Sequence, residues 1–235
     1  MNDTITLQRQ LKESLQIQED EELNIDKIQN IASKLIHHHL SNNRVSAARA
    51  VILVIESICQ PMGQLSYQYG RVCIREGKYQ KAYTLFNNIG YINWKILVYL
   101  LPLEYLINNK LPNDLIWEKY PILEPLKPLF NAIKSHNVKL FKSLINYNAK
   151  WLNKIHLLSL YKQLINPIRI NNLQKISMNY PKHIIPISII ANINNEPITS
   201  TECYISQMIN GGKVRGYISH SHCVIVLSKQ SPFSI

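Results

Sequence analysis

The chain is 235 residues long and 46% hydrophobic, enough to bury one large core or two smaller ones. Its 26 Lys/Arg against 15 Asp/Glu leave a formal charge of +11, which favours an anionic partner and keeps nucleic acid, acidic protein and anionic membrane all open. Cys59, Cys73, Cys203 and Cys223 lie far apart, with no CxxC pair and no secretory leader. They read as reduced core residues of an intracellular protein, not as a disulfide or zinc framework. The longest apolar runs, such as Ala47 to Ile58, are interrupted by Arg49 and Glu56 and fall short of the ~20 residues a membrane span needs; a soluble chain with no membrane partner is expected.

In chain order, Met1 to Ile25 is polar, carries an acidic run from Glu19 to Glu22, and reads as one frayed helix before a better one at Asp26. Apolar residues then recur at helical spacing from Lys27 to Leu40 and from Val45 to Ile58, separated by Ser41-Asn42-Asn43, which predicts a helical hairpin. Tyr67, Tyr69, Gly70 and Cys73, followed by Glu76-Gly77-Lys78-Tyr79 and by Ala82 and Phe86, have the pattern of a tetratricopeptide-like unit. In such a unit small residues let two helices approach, Gly77 stops the first, and Tyr79 and Ala82 pack the second back on it. Trp94 to Ile107 predicts a helix buried on most sides. A short helix opens at Leu111-Pro112-Asn113-Asp114 and closes at Tyr120-Pro121. Helices over Leu123 to Ser135, Val138 to Tyr147 and Ala149 to Ile165 complete the row, with Pro125 and Pro128 in opening turns where a missing amide hydrogen costs little.

Asn166-Pro167 is the strongest break in the chain, dividing a helical-repeat domain (1–165) from a second domain (166–235). In the second, Arg169 to Asn179, Ile184 to Asn192 and Ser200 to Asn210 predict three short helices. Lys213 to Ser219 and Cys223 to Ser228 predict a hairpin around Ser219-His220-Ser221-His222, with Gly211-Gly212 in the passage from the third helix. Three helices and a hairpin make a winged helix. The fold class is therefore mainly α: tetratricopeptide-like helical repeats followed by a C-terminal winged helix. Alternation along Val214, Gly216, Ile218 and along Val224, Val226 predicts one apolar hairpin face, with Arg215, Tyr217 and Ser219 on the other.

The run Gly212-Lys213-Val214-Arg215-Gly216-Tyr217-Ile218-Ser219-His220, with Val226-Leu227-Ser228-Lys229-Gln230-Ser231-Pro232-Phe233 after it, closely resembles the wing and C-terminal end of the PCI-domain-containing protein 2 family. That family includes the Thp-type subunit of the nuclear transcription-export complex and the COP9-signalosome-like subunit twelve. A second anchor, Ile96-Leu97-Val98-Tyr99-Leu100-Leu101-Pro102-Leu103, resembles the start of the same family's PCI region. The resemblance covers roughly residues 65–235. It implies a PCI fold, a nuclear location, and membership of a messenger-RNA export complex. The implied partners are a Sac/GANP-type PCI scaffold, bound through the winged helix, and a small acidic peptide of the Sem/Dss type. The chain is much shorter than typical members.

The charge is uneven: residues 111–235 hold 14 Lys/Arg and 5 Asp/Glu, and the stretch from Pro125 to Asn195 holds ten basic residues and no acidic one, so their field is not cancelled locally in sequence. The third predicted helix carries Glu202 and no basic residue, which argues against groove reading. Backbone contacts from Lys213, Arg215 and Lys229, helped by Arg169, Lys175 and Lys182, fit non-specific RNA or DNA binding that weakens steeply with salt. Tyr217, Ile218 and Val226 are the expected partner-interface residues. His37-His38-His39 point in three directions on a helix and do not chelate from one face, and His220 and His222 belong to no cysteine-pair signature. There is no P-loop, GxGxxG, HExxH or GxSxG, and only seven glycines; no catalytic residue, cofactor or metal is expected. A purely architectural PCI subunit, as in a proteasome-lid or COP9-type assembly, and a splicing-linked PCI complex are the alternatives, since a basic groove for an acidic peptide would mimic a nucleic-acid footprint.

Overall fold

The computed structural model describes residues 2–16 and 24–233. The expected frayed N-terminal helix is α1 (Asn2–Leu15); the acidic run from Glu19 to Glu22 lies outside the described residues. The chain forms two compact units, one comprising residues up to Lys110 together with Asn153–Leu160, the other Leu111–Leu152 and Tyr161 onward.

The first unit is helical throughout: α2 (Ile25–Ser41), α3 (Val45–Glu56), α4 (Gly63–Arg75), α5 (Tyr79–Asn87) and α6 (Trp94–Asn108) follow α1. Asn24 and Asn93 cap α2 and α6, each accepting from an amide of the first turn through its side-chain oxygen, which satisfies a donor the helix itself leaves orphaned. The α2–α3 and α4–α5 hairpins share one turn. Asn43 and Gly77 take left-handed φ of 56° and 74°, and the following amides, of Arg44 and Lys78, donate back to the carbonyls of His39 and Cys73 at 2.8 Å. This is a Schellman closure, repeated at the 34-residue spacing of a tetratricopeptide repeat. Gly70 is where α4 and α5 touch: a Cβ there would lie 2.7 Å from the Phe86 ring. Phe86 in turn stacks on Tyr99 of α6, at 5.3 Å between centroids.

In the second unit, α7 (Leu115–Lys119), a 3-10 turn (Pro121–Leu126), α8 (Lys127–Lys134) and α9 (Val138–Tyr147) are followed by α10 (Ala149–Lys154) and α11 (Leu158–Gln163), of which Asn153–Leu160 belongs to the first unit, and then by α12 (Ile165–Ser177). Where one helix was expected from Ala149 to Ile165 there are two, parted at His156, whose φ is 58°. Asn166-Pro167 does not break the chain: it sits in the first turn of α12, where proline forfeits no hydrogen bond, and the interruption falls just before it. β1 (Ile184–Pro186), α13 (Ile187–Asn194), α14 (Ile198–Asn210), β2 (Gly216–Ser219) and β3 (Val224–Leu227) complete a winged helix. Its core comprises Leu173, Ile176, Ile185, Ile190, Tyr204, Ile205, Met208, Val214, Ile225 and Leu227.

Three expectations are corrected here. Residues 184–186, read as the start of a helix, are a strand pairing with β3, so the sheet has three strands in the order β1-β3-β2. Val224 and Val226 do not join Ile218 on the buried side. Ile218 pairs with Ile225 and Tyr217 with Val226, so Ile225 and Leu227 face the core while Val226 shares the outer face with Tyr217. Val224-Ile225-Val226-Leu227 is apolar at every position, and a central strand of that kind carries no alternation from which to read its parity. The expectation of four core cysteines also holds only in part: Cys73 is buried, Cys59 half-buried, and Cys203 and Cys223 are exposed, Cys223 because it occupies the wing turn with φ 51°.

Candidate nucleic-acid and partner interface

Backbone pairing assembles the wing base. His183 accepts from the Leu227 amide at 2.8 Å, the Ser228 amide donates to the Arg215 carbonyl at 2.8 Å, the Arg215 amide donates to Pro232 at 2.7 Å, and Val214 bridges Phe233. The starts of β1 and β2 and the end of β3 therefore meet at one end of the sheet, bringing Lys182, Lys213, Arg215 and Lys229 to that end. All four are exposed, and among the described residues none makes an ion pair. Gly216 allows this close pairing: a Cβ there would collide with the Val226 carbonyl oxygen and lie 3.1 Å from the Leu227 Cα.

Beside this end lies an apolar row. Ile184 pairs with Val226, and Val226 with Tyr217, so the three side chains share the outer face; Ile184 is 44% and Tyr217 61% exposed. Ile218 leans instead on the core. Sequence reasoning missed Ile184 because β1 was not recognised. At the opposite end, the wing tip, His222 Nδ1 is 3.0 Å from both Ser219 Oγ and Ser221 Oγ.

Arg169 and Lys175 stand apart. Lys175 is exposed on α12. Arg169 has only 12% of its side chain exposed and is engaged on two sides: Nε donates to Glu196 at 3.1 Å, and the guanidinium carbon lies 4.1 Å from the Tyr204 ring centroid. Glu196, 4% exposed, also accepts from Lys142. Burial alone would raise the Glu196 carboxyl, but its hydrogen bonds to Arg169 and Lys142 and their charges hold it below the usual carboxylate range. A buried chain continues from here: Asn172 donates to Asn194 at 2.8 Å and Asn194 to the Tyr204 hydroxyl at 2.7 Å, and burial pushes that phenol up to about 12.

The ten cations between Pro125 and Asn195 are thus not one field. Lys127 pairs with Glu124, Lys134 with Asp114, and Lys142 and Arg169 with Glu196, acids that lie outside the stretch in sequence but beside it in space. In the first unit, His37, His38 and His39 face Arg71, Thr4 and the core respectively.

Residues 134–229 match the family model of the PCI domain, and they begin in α8 and end just after β3. This stretch is a PCI domain. The PCI-domain chain is 30% identical over 162 residues to Protein CSN12 homolog of Debaryomyces hansenii, covering 59% of this chain and 37% of that protein. It is 26% identical over 187 residues to the PCI domain-containing protein 2 homolog of Drosophila melanogaster, 72% of this chain and 47% of the relative. With the Dictyostelium discoideum homolog of the same protein it shares 25% over 226 residues, 86% and 52% respectively. The chain spans about half or less of the length of these curated relatives.

Proposed function

We propose that this PCI-domain protein is a non-enzymatic scaffold and adaptor of a nuclear messenger-RNA export complex. In this reading it pairs with a Sac/GANP-type PCI scaffold through the outer sheet face, is steadied by an acidic Sem/Dss-type peptide, and offers a basic surface to RNA or DNA backbone. The observation carrying the reading is the juxtaposition at the wing base: the unpaired cations Lys182, Lys213, Arg215 and Lys229 beside the outer-face row of exposed Ile184, half-buried Val226 and exposed Tyr217. Apolar side chains in a row suit a protein partner; clustered cations without acidic neighbours suit phosphates. The likeness to PCI domain-containing protein 2 and CSN12 homologs supports a subunit of that kind. Lys175, apart from this cluster on α12, is a further exposed cation, whereas Arg169 contributes by fixing α12 to Glu196. A purely architectural subunit is the second reading, favoured by α14, which presents Glu202 and no cation where a groove-reading helix would carry several.

The test is binding of labelled single-stranded RNA and duplex DNA to the purified chain, alone and with its PCI and acidic-peptide partners, across a salt series. Wild type is compared with Lys213→Glu/Arg215→Glu/Lys229→Glu. Salt-sensitive binding lost in the triple variant, with assembly intact, supports the adaptor. Absence of binding in every assembly leaves an architectural subunit.

A further inference from the structure

A second surface of the C-terminal unit has no part in the wing. Helices α9 and α10 run on almost without interruption: Asn148 donates its amide to Leu144 at 3.0 Å and accepts from Leu152 at 2.9 Å, so helical spacing carries through from Val138 to Leu152. Lys139, Ser143, Asn146 and Lys150 then fall on one stripe, and Leu140, Tyr147 and Trp151 on the stripe beside it. All seven are exposed, Tyr147 at 87% and Trp151 at 38%. Among the described residues neither ring meets another ring or a cation, and neither Lys139 nor Lys150 makes an ion pair. Lys142, the lysine of α9 that turns away from this face, is the one bound to Glu196.

We infer that this α9–α10 face is a binding platform for single-stranded nucleic acid, with bases stacking on Tyr147 and Trp151 and phosphates tracking past Lys139 and Lys150. Charge complementarity chooses the occupant: Lys139 and Lys150, on helices that carry no carboxylate, attract a polyanion and offer a neutral apolar peptide no charge to pair with, while the π-face of each ring accepts every base. A duplex hides its base faces and can use only the lysines. At 1.5 Å per residue the two lysines stand about 16 Å apart along the axis, the reach of a few extended nucleotides.

The test is fluorescence anisotropy of the full chain with a labelled twelve-residue oligo-uridine and with a DNA duplex, comparing wild type, Tyr147→Ala/Trp151→Ala, and the wing variant Lys213→Glu/Arg215→Glu/Lys229→Glu, with circular dichroism confirming that each is folded. The platform requires at least a tenfold loss of single-strand affinity in the ring variant, since each stacked base is worth about 5- to 100-fold, with duplex binding unchanged. It also requires that intrinsic tryptophan fluorescence be quenched by the oligonucleotide in wild type and not in Trp151→Phe. A ring variant that binds the oligonucleotide as wild type does, or unquenched fluorescence at saturation, overturns the platform and returns this face to a protein partner. Because the wing variant is scored separately, failure of the wing surface leaves this result untouched.

Discussion

Replacing Glu196 tests the junction that holds α9 to the winged helix. Glu196→Ala removes the only carboxylate facing Arg169 and Lys142 among the described residues. Lys142, with 39% of its side chain exposed, can turn to water, whereas Arg169, at 12%, is left as a nearly buried charge over the Tyr204 ring. Breaking one side of a buried pair costs about 3–5 kcal/mol, and the freedom of Lys142 places the expected loss near the lower end, about 3 kcal/mol. Glu196→Gln keeps an oxygen for the guanidinium and should cost less, about 2 kcal/mol. Urea unfolding at pH 7 measures both. In a cycle with Arg169→Met the two losses should be non-additive by at least about 1 kcal/mol. The sign of the pH dependence follows from the lowered carboxyl: its stabilisation is full above the ordinary value of about 4.3 and disappears as pH falls through the folded value. The gap between wild type and Glu196→Gln should therefore close below pH ~4. A loss under about 0.5 kcal/mol for the alanine variant, or strict additivity with Arg169→Met, would refute the assignment.

Three further outcomes are expected. Gly216→Ala should lower stability by about 1–3 kcal/mol through its collision with β3 backbone atoms that cannot swing aside, seen as faster amide exchange in β2; Gly212→Ala, at φ 67° in open space, should cost only about 1–2 kcal/mol of strain. His39 and His136 are lowered by burial first, then by neighbouring positive charge, and each leaves a buried Nδ1 without a hydrogen bond. Their neutral forms stabilise the fold above about pH 6.5, so thermal stability should fall as the pH drops from 7.5 to 5, and His136→Asn should flatten that fall. Tyr217→Ala and Val226→Ala should leave thermal stability of the free chain within about 0.5–1 kcal/mol, Tyr217 being exposed, while weakening co-purification with a PCI partner; unchanged assembly would remove the outer sheet face from the interface.

The sequence made some elements legible and hid others for physical reasons. Asn24, Asn93 and Asn137 capped helices whose periodicity was plain, and Gly70 and Gly77 marked a helical hairpin because a missing Cβ admits the Phe86 ring at the first and favours the left-handed turn at the second. β1 was invisible because three residues, Ile184-Ile185-Pro186, are too few to display a period, and their extended form comes from β3, forty residues downstream. Tyr217 and Val226 could be named as surface candidates, but their sharing of one face depends on register, which a uniformly apolar strand does not disclose. Tyr147 and Trp151 lay in two expected helices whose pattern did not mark them apart from the other apolar residues, and their exposure in the structure separates them.

Charge shows the same limit most sharply. A window free of acids from Pro125 to Asn195 suggests a continuous cationic surface, yet the acid that matters most is Glu196, the next residue along. Folding places it against Lys142 and Arg169, one from α9 and one from α12, and so neutralises two cations while joining those helices. The cations left over are not a remnant of the average composition. Six of them fall into two groups, Lys139 and Lys150 on the α9–α10 face beside two exposed rings, and Lys182, Lys213, Arg215 and Lys229 at the wing base beside an apolar row, whereas Lys154, Lys162 and Lys175 stand outside both. Counting charge along the chain gives a sign for the partner; only the pairing of individual side chains gives the places where that partner can be held.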